Sequence, residues 1–207
     1  MNRPPGVDGA AFTGAADGDQ RNDLTARSAV SSWLGISRDW ATVRQVHGTN
    51  MVRALGPGEL GEADGLWSEV PRLPLAVFTA DCFGVVLHAG SAVGVAHAGW
   101  RGAAEGVVTA LRAEMTAHGH PPIRAAIGPG IGPCCFEVGP DVAERFPDHV
   151  RETRWGATSV DLASVIRREL EGLDVWLLGT CTMHDESLYS HRRTGTAQRI
   201  ATIAWVA

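Results

Sequence analysis

Three residues at the ends of apolar runs are of types that bind metals or attack carbonyl groups. His47 follows "RQV", Cys82 follows "LAVFTAD" and His97 follows "VGVA". Imidazole and thiolate suit zinc and copper, and a His2Cys set leaves one tetrahedral position open. An open position is what a catalytic metal needs to activate water. The same atoms permit another chemistry, with Cys82 as nucleophile, His97 as its base and Asp81 orienting the imidazole or binding substrate. They also permit an inert reading, in which two satisfied core histidines lie near a buried cysteine and Asp81 is a turn or cap residue.

Further candidates flank these three. In "VAHAGWRG" a helix is expected to begin just after His97, which places Arg101 near a partial positive charge that favours anions. Trp100 beside it is either a platform for an aromatic ligand or a core residue beneath the helix. In "YSHRRTG", Arg192 and Arg193 can bind phosphate or carboxylate bidentately, or form a solvated face or an intrachain ion pair. The Gly-Pro repeats of "IGPGIGPCCFEVG" let a backbone pass close to a ligand, and equally make a rigid loop. Its adjacent Cys134 and Cys135 are expected to be free thiols, because neighbouring cysteines form only strained disulfides. Glu137 is an acid or base candidate or a surface charge. His118 and His120, the single H-x-H, precede Pro121-Pro122 and read as a polar loop.

Composition narrows the chemistry. All 18 positively charged side chains are arginine, with no lysine anywhere in the 207 residues. Schiff-base and pyridoxal-phosphate enzymes need a lysine amine, and a Walker-type phosphate loop needs its own lysine, so these classes are excluded. An anionic substrate must therefore be held by arginine, backbone N–H groups or a metal. A net charge of −5 without a basic stripe argues against nucleic acid. The start "MNRPPGVDGAAFTG" lacks a signal-peptide core, and no apolar run reaches the length of about 18 residues that a membrane span requires. Four cysteines without C-x-x-C spacing fit a reduced, cytoplasmic protein.

The elements that must position these side chains alternate between strand and helix patterns. Residues 1–25 read as a loosely packed start with at most one edge strand. Leu24 to Leu34 is predicted to be a helix closed by Gly35. "TVRQVHG" and "NMVRAL" read as a hairpin across Gly48-Thr49-Asn50. "LPLAVFTADC", "GVVLHA" and "AVGVAHAG" read as strands covered on both faces. A single helix is expected from Ala103 to Ala117, followed by a strand at "IRAAIG" and a short helix opened by Pro140. Another helix is expected between Asp161 and Gly172, then strands at "LDVWLLGTC" and "RIATIAWVA". With no internal repeat or linker, one α/β domain follows.

Six segments resemble, in order, one bacterial family: "RQVHGTNMV", "ADGLWS", "FTADCFGVVL", "VGVAHAGWRGAAEGVV", "AAIGPGIGPCCFEVG" and "CTMHDESLYSHRRTGTAQRIATIAWV". This is the family of laccase-domain or multicopper polyphenol oxidases, also described as purine nucleoside phosphorylases or peptidoglycan editing factors. The resemblance runs from about Arg44 to the C-terminus, and HAGWRG and IGPxIGPCC are its most specific blocks. It implies a catalytic metal, Zn2+ or Cu2+, on His47, Cys82 and His97. It also implies an α+β (α/β) fold over residues 1–207: a four-layer α-β-β-α sandwich with mixed sheets, cysteine-hydrolase-like through its Cys–His pair.

The implied activities are phosphorolysis of adenosine, inosine, guanosine and methylthioadenosine, together with adenosine deamination. Hydrolysis that removes L-serine from a UDP-muramyl cell-wall precursor is a further implied activity. The partners would then be small molecules, a purine nucleoside and phosphate. On this reading the catalytic candidates are Cys82, His97, Arg101 and Asp81, and the substrate contacts are Trp100, Arg192, Arg193 and Gln45. A laccase binds four coppers through many H-x-H pairs, which one pair outside the matching blocks does not supply. A purely structural zinc would want a fourth protein ligand, and Cys181 and His184, though inside a matching block, are not expected on the metal. Where the family usually carries an Asn-Arg pair on its first helix, this chain has Ala26-Arg27.

Overall fold

Runs such as Leu75–Thr79, Phe83–Leu87 and Val93–Ala98 are apolar on both faces of the pleat, so each must be covered twice. The computed structural model, which describes residues 1–207, satisfies them by stacking two sheets between helices. In chain order the first elements are β1 (Ala10–Phe12), α1 (Leu24–Leu34), β2 (Ala41–Arg44), β3 (Met51–Arg53) and β4 (Gly58–Glu62). Next come β5 (Gly65–Ser68), β6 (Leu75–Thr79), β7 (Phe83–His88), β8 (Val93–Ala98), α2 (Trp100–Ala104) and α3 (Val107–Ala117). The remainder is β9 (Arg124–Ile127), α4 (Pro140–Ala143), β10 (Val150–Glu152), β11 (Thr158–Val160), α5 (Leu162–Glu169), β12 (Asp174–Leu177), α6 (His191–Thr194) and β13 (Ile200–Ala204).

One sheet has the order β1-β13-β6-β2-β4 and the other β12-β9-β7-β8-β5-β3, each mixing parallel and antiparallel pairs; β10 and β11 form a separate ribbon. Three apolar clusters fill the gaps between layers. Val30 of α1 packs with Ala76, Phe78 and Ile203 on the outer face of the first sheet. Phe12, Leu75, Val77, Val86, Val93 and Val95 fill the space between the sheets. Val85, Leu87, Leu111, Met115 and Ile166 join the second sheet to α3 and α5. The fold is thus a single mixed α/β domain in four layers, as expected.

Several local expectations are met to the residue. Gly35 closes α1 in the left-handed region at φ 69°, and the start of the helix, for which no cap was expected, is capped by Asp23, which accepts N–H bonds from Thr25 and Ala26. Asp161 caps α5 through the N–H of Ser164. Other expectations need correction. The hairpin across Gly48–Asn50 does not form, because β2 lies in the first sheet and β3 in the second. The helix expected over 103–117 is broken: α2 ends before Gly106, whose φ of +80° separates it from α3. Residues 1–25 are better packed than expected, since β1 pairs with β13 and buries Ala10, Ala11 and Phe12.

Candidate active site

His47 and Cys82 lie on two of the three connections that carry the chain from the first sheet to the second, β2 to β3 and β6 to β7, and Asp64 lies on the third, β4 to β5. His97 sits near the end of β8 in the second sheet. The β2–β3 and β6–β7 connections hold unusual backbone: His47 and Asp81 have φ of 65° and 88°, in the left-handed region that non-glycine residues seldom occupy. Such strain persists only where surrounding bonds hold it. Asp64 supplies them for His47. Its carboxylate accepts the N–H groups of Val46 at 3.1 Å, His47 at 2.9 Å and Gly48 at 2.6 Å. For Asp81, the carbonyl accepts the N–H of Ile131, and the two carboxylate oxygens accept the Thr182 hydroxyl and the Arg192 N–H, each at 2.6 Å.

Asp64 also fixes His97. The residue precedes β5, whose Gly65 stands opposite Ala96 of β8, so register places Asp64 against His97. The His97 Nδ1 is 2.8 Å from Asp64 Oδ1, and the His97 N–H donates to the Asp64 carbonyl at 2.7 Å. A carboxylate on Nδ1 leaves Nε2 as the free donor, the arrangement that orients metal-binding histidines. The ligand atoms of His47, Cys82 and His97 all lie within 4.8 Å of one another, and the two imidazoles meet edge-on with centroids 4.7 Å apart.

Gly99 keeps space beside them, since a Cβ there would stand 2.9 Å from His47 Cδ2 and 3.1 Å from Cys82 Sγ. Two imidazoles, a thiol, a carboxylate behind one ring and a position where only glycine fits make a donor set that could hold a metal ion of the zinc or copper type.

The electrostatics agree with a donor set. Burial pushes the Cys82 thiol up, but hydrogen bonds and positive charge from His47 and His97 outweigh it and bring it down to about 6. Burial pushes His97 down, yet the bond to Asp64 and the neighbouring Cys82 sulfur raise it to about 9. Burial also opposes the Asp64 charge, but the His97 bond and the Gly48 and His47 amides hold it below the ordinary carboxylate value.

A cleft of about 420 Å³ opens over this trio. Gln45, Phe78, Thr79, Asp81, Trp100 and Phe136 line it, together with Arg21, His191, Arg192 and Arg199. Of the sequence candidates, Gln45, Asp81, Trp100 and Arg192 therefore meet the trio in one cleft. Gln45 bonds both the N–H and the carbonyl of Phe78, each at 2.8 Å. Arg192 lies over the Phe136 ring at 5.7 Å.

Arg101 and Arg193 do not line the cleft. Arg101 is exposed, with its guanidinium 4.5 Å from the Trp100 ring centroid. Arg193 spends its guanidinium on the carbonyls of Thr182, Met183, Asp185 and Leu188. Glu137 accepts from the Trp155 indole, and His118 and His120 flank Trp67, away from the trio. The carboxylate that orients His97 is Asp64 rather than Asp81.

Sequence reasoning missed Asp64, Arg21 and Arg199. Asp64 lay inside the matching block "ADGLWS", which was the one signal available for it. Arg21 reaches the cleft from the N-terminal segment and carries no local mark.

A four-layer α/β sandwich with a His2Cys trio at a sheet-to-sheet crossing, open to a cleft of small-molecule size, is the class that fold and site define. The chain belongs to the multi-copper polyphenol oxidoreductase laccase family, whose model matches residues 6–207. It is 36% identical over 208 residues to a purine nucleoside phosphorylase of Deinococcus radiodurans, covering 92% of this chain and 81% of that one. A purine nucleoside phosphorylase of Xylella fastidiosa is 35% identical over 205 residues, covering 87% and 77%. The crystal structure of YlmD from Geobacillus stearothermophilus superposes with a TM-score of 0.84 at 25% identity, covering 100% of this chain and 98% of that one. No helix is long and apolar enough to cross a membrane.

Proposed function

We propose that the chain is a zinc-dependent purine nucleoside phosphorylase, with the metal on His47, Cys82 and His97 and both substrates in the adjoining cleft. The observation that carries this reading is the lining. Three arginines, Arg21, Arg192 and Arg199, line one cleft with Phe78, Trp100, Phe136 and the donor trio, Arg192 and Arg199 each also giving one guanidinium nitrogen to backbone carbonyls. The names of the Deinococcus and Xylella relatives support the same substrate class.

In phosphorolysis a phosphate oxygen bonds to ribose C1′ as the C1′–N9 bond breaks. The bonding pair leaves with the purine, which takes up a proton, and ribose 1-phosphate is the second product. In a chain without lysine, arginines are the side chains suited to holding the phosphate dianion, and here they would hold it against C1′. The aromatic rings offer faces to the purine. The buried Thr79 hydroxyl has no protein partner, which makes it a candidate donor to a ribose hydroxyl. Asp81 acts as a positioning residue, fixing the start of α6 through the Arg192 N–H. When bound, zinc supplies Lewis acidity beside the reacting centre.

Adenosine deamination is the weaker reading, because it needs a carboxyl free to shuttle protons at purine C6 and both Asp81 oxygens already accept hydrogen bonds. One arrangement favours a second reading. Cys82, His97 and Asp64 follow each other as nucleophile, base and orienting carboxylate, which would serve amide hydrolysis in a metal-free site.

The test is an incubation panel: inosine with phosphate, adenosine alone, and a serine-containing muramyl precursor. Phosphate-dependent release of hypoxanthine by the zinc-loaded chain is expected. Release of serine by the zinc-free chain, with no nucleoside turnover, would favour the amidase reading instead.

A further inference from the structure

Cys134, Cys135, Cys181 and His184 belong to neither the cleft nor the trio, yet they meet. Their ligand atoms all lie within 4.8 Å of one another. The meeting follows from topology. β9 and β12 are parallel neighbours, so the loops leaving their C-terminal ends emerge side by side. Pairing continues past the strands: Gly130 and Cys181 form a parallel bridge, and the Thr182 N–H donates to the Gly130 carbonyl at 3.0 Å. One loop brings the two adjacent cysteines and the other brings Cys181 and His184.

The donors are of one chemical kind. Cys135 Sγ lies 3.0 Å from His184 Nε2, and Cys134 Sγ lies 3.9 Å from His184 Nδ1. All four cysteines of the chain are free thiols, so no disulfide explains the cluster. Gly132 leaves room for it, since a Cβ there would come within 3.2 Å of Cys134 Sγ and 3.6 Å of Cys181 Sγ. Zinc–sulfur bonds of about 2.3 Å in a tetrahedron set sulfurs about 3.8 Å apart, and the four donor atoms here all lie within 4.8 Å of one another. Three thiolates and one imidazole complete four-coordination and leave no open position, which is the pattern of structural rather than catalytic zinc. Exposed His184 provides a path of entry.

We propose that Cys134, Cys135, Cys181 and His184 form a second zinc site, closed and structural, that clips the loop after β9 to the loop after β12. The clip holds one wall of the cleft. Phe136, which lines the cleft, follows Cys135 directly, and Thr182, beside Cys181, donates to Asp81. Arg193 gathers the carbonyls of the same second loop. This site shares no donor with the trio, so it stands whether or not the chain is a phosphorylase.

The test counts zinc by elemental analysis of the full chain, purified in reducing buffer. Wild type is expected to hold two equivalents per chain. The double variant His47→Ala/Cys82→Ser is expected to keep one, and further substitution of His184→Ala or Cys134→Ser to leave none. The last two side chains are exposed or partly exposed, so these variants should fold, which circular dichroism verifies. Cobalt substitution in the His47→Ala/Cys82→Ser background gives a second readout, a thiolate-to-cobalt charge-transfer band that only the cluster can then produce. A folded double variant with no zinc and no such band would overturn the proposal. Retention of the remaining zinc after His184→Ala or Cys134→Ser would also overturn it.

Discussion

A carboxylate that accepts three backbone amides and an imidazole has little freedom to move, and Asp64 is held in this way on both of its oxygens. It ties the strained His47 backbone to the His97 ring, so two of the three proposed metal donors depend on one side chain. Replacing it with asparagine keeps the shape and removes the charge. Asp64→Asn is expected to weaken zinc binding by about 10–100-fold, the usual cost of losing an outer partner of a ligating histidine; competition with a colorimetric chelator measures it. An unchanged affinity would remove Asp64 from the site.

A second residue-scale test concerns Cys82 in the zinc-free chain. The thiolate is the reactive form, so alkylation should rise as pH passes up through about 6, followed by mass spectrometry of the Cys82 peptide. A rise only near the ordinary value of 9.0 would contradict the lowering by His47 and His97.

Elements place these residues through close approaches that only glycine permits. At the junction of β8 and α2, Gly99 has φ −78°, an ordinary backbone value, so its need for glycine is steric and comes from His47 and Cys82. Gly99→Ala is expected to lose the trio's zinc and keep one equivalent per chain by elemental analysis, with a melting temperature close to that of His47→Ala/Cys82→Ser. Zinc binding at wild-type affinity would mean that the donors do not need that space.

Between the sheets, a Cβ on Gly84 of β7 would overlap the Thr202 hydroxyl of β13. Overpacking of this kind costs roughly 1–3 kcal/mol. Gly84→Ala should therefore lower the midpoint of urea unfolding without changing its slope, and an unchanged midpoint would show that the layers can part freely.

Much of this level was legible in the sequence because its signals are local. Gly35 closes α1, Asp161 opens α5, and apolar runs announce β6, β7 and β8. The β2–β3 connection was not legible, because Gly48-Thr49-Asn50 has the composition of a hairpin turn. What sends it across to the other sheet is Asp64, 17 residues further on from His47.

At the scale of the whole molecule, the trio was readable as candidate ligands because His and Cys at strand ends are unusual, and the ordered blocks supported that reading. The cleft was less readable. It draws Arg21 from the first turns of the chain and Arg199 from just before β13, and no pattern of spacing links positions so far apart. Arg193, adjacent to Arg192, points instead into a nest of carbonyls, because a short helix such as α6 sends neighbouring side chains in different directions. The central claim is that trio and arginines together catalyse phosphorolysis.

Its most direct test is the yield of ribose 1-phosphate from inosine and phosphate, compared for the zinc-loaded chain, the stripped chain and the chain reloaded with zinc. The expected result is ribose 1-phosphate in equal amount to hypoxanthine, lost on stripping and restored on reloading. Free ribose in its place, or a yield indifferent to zinc, would contradict it.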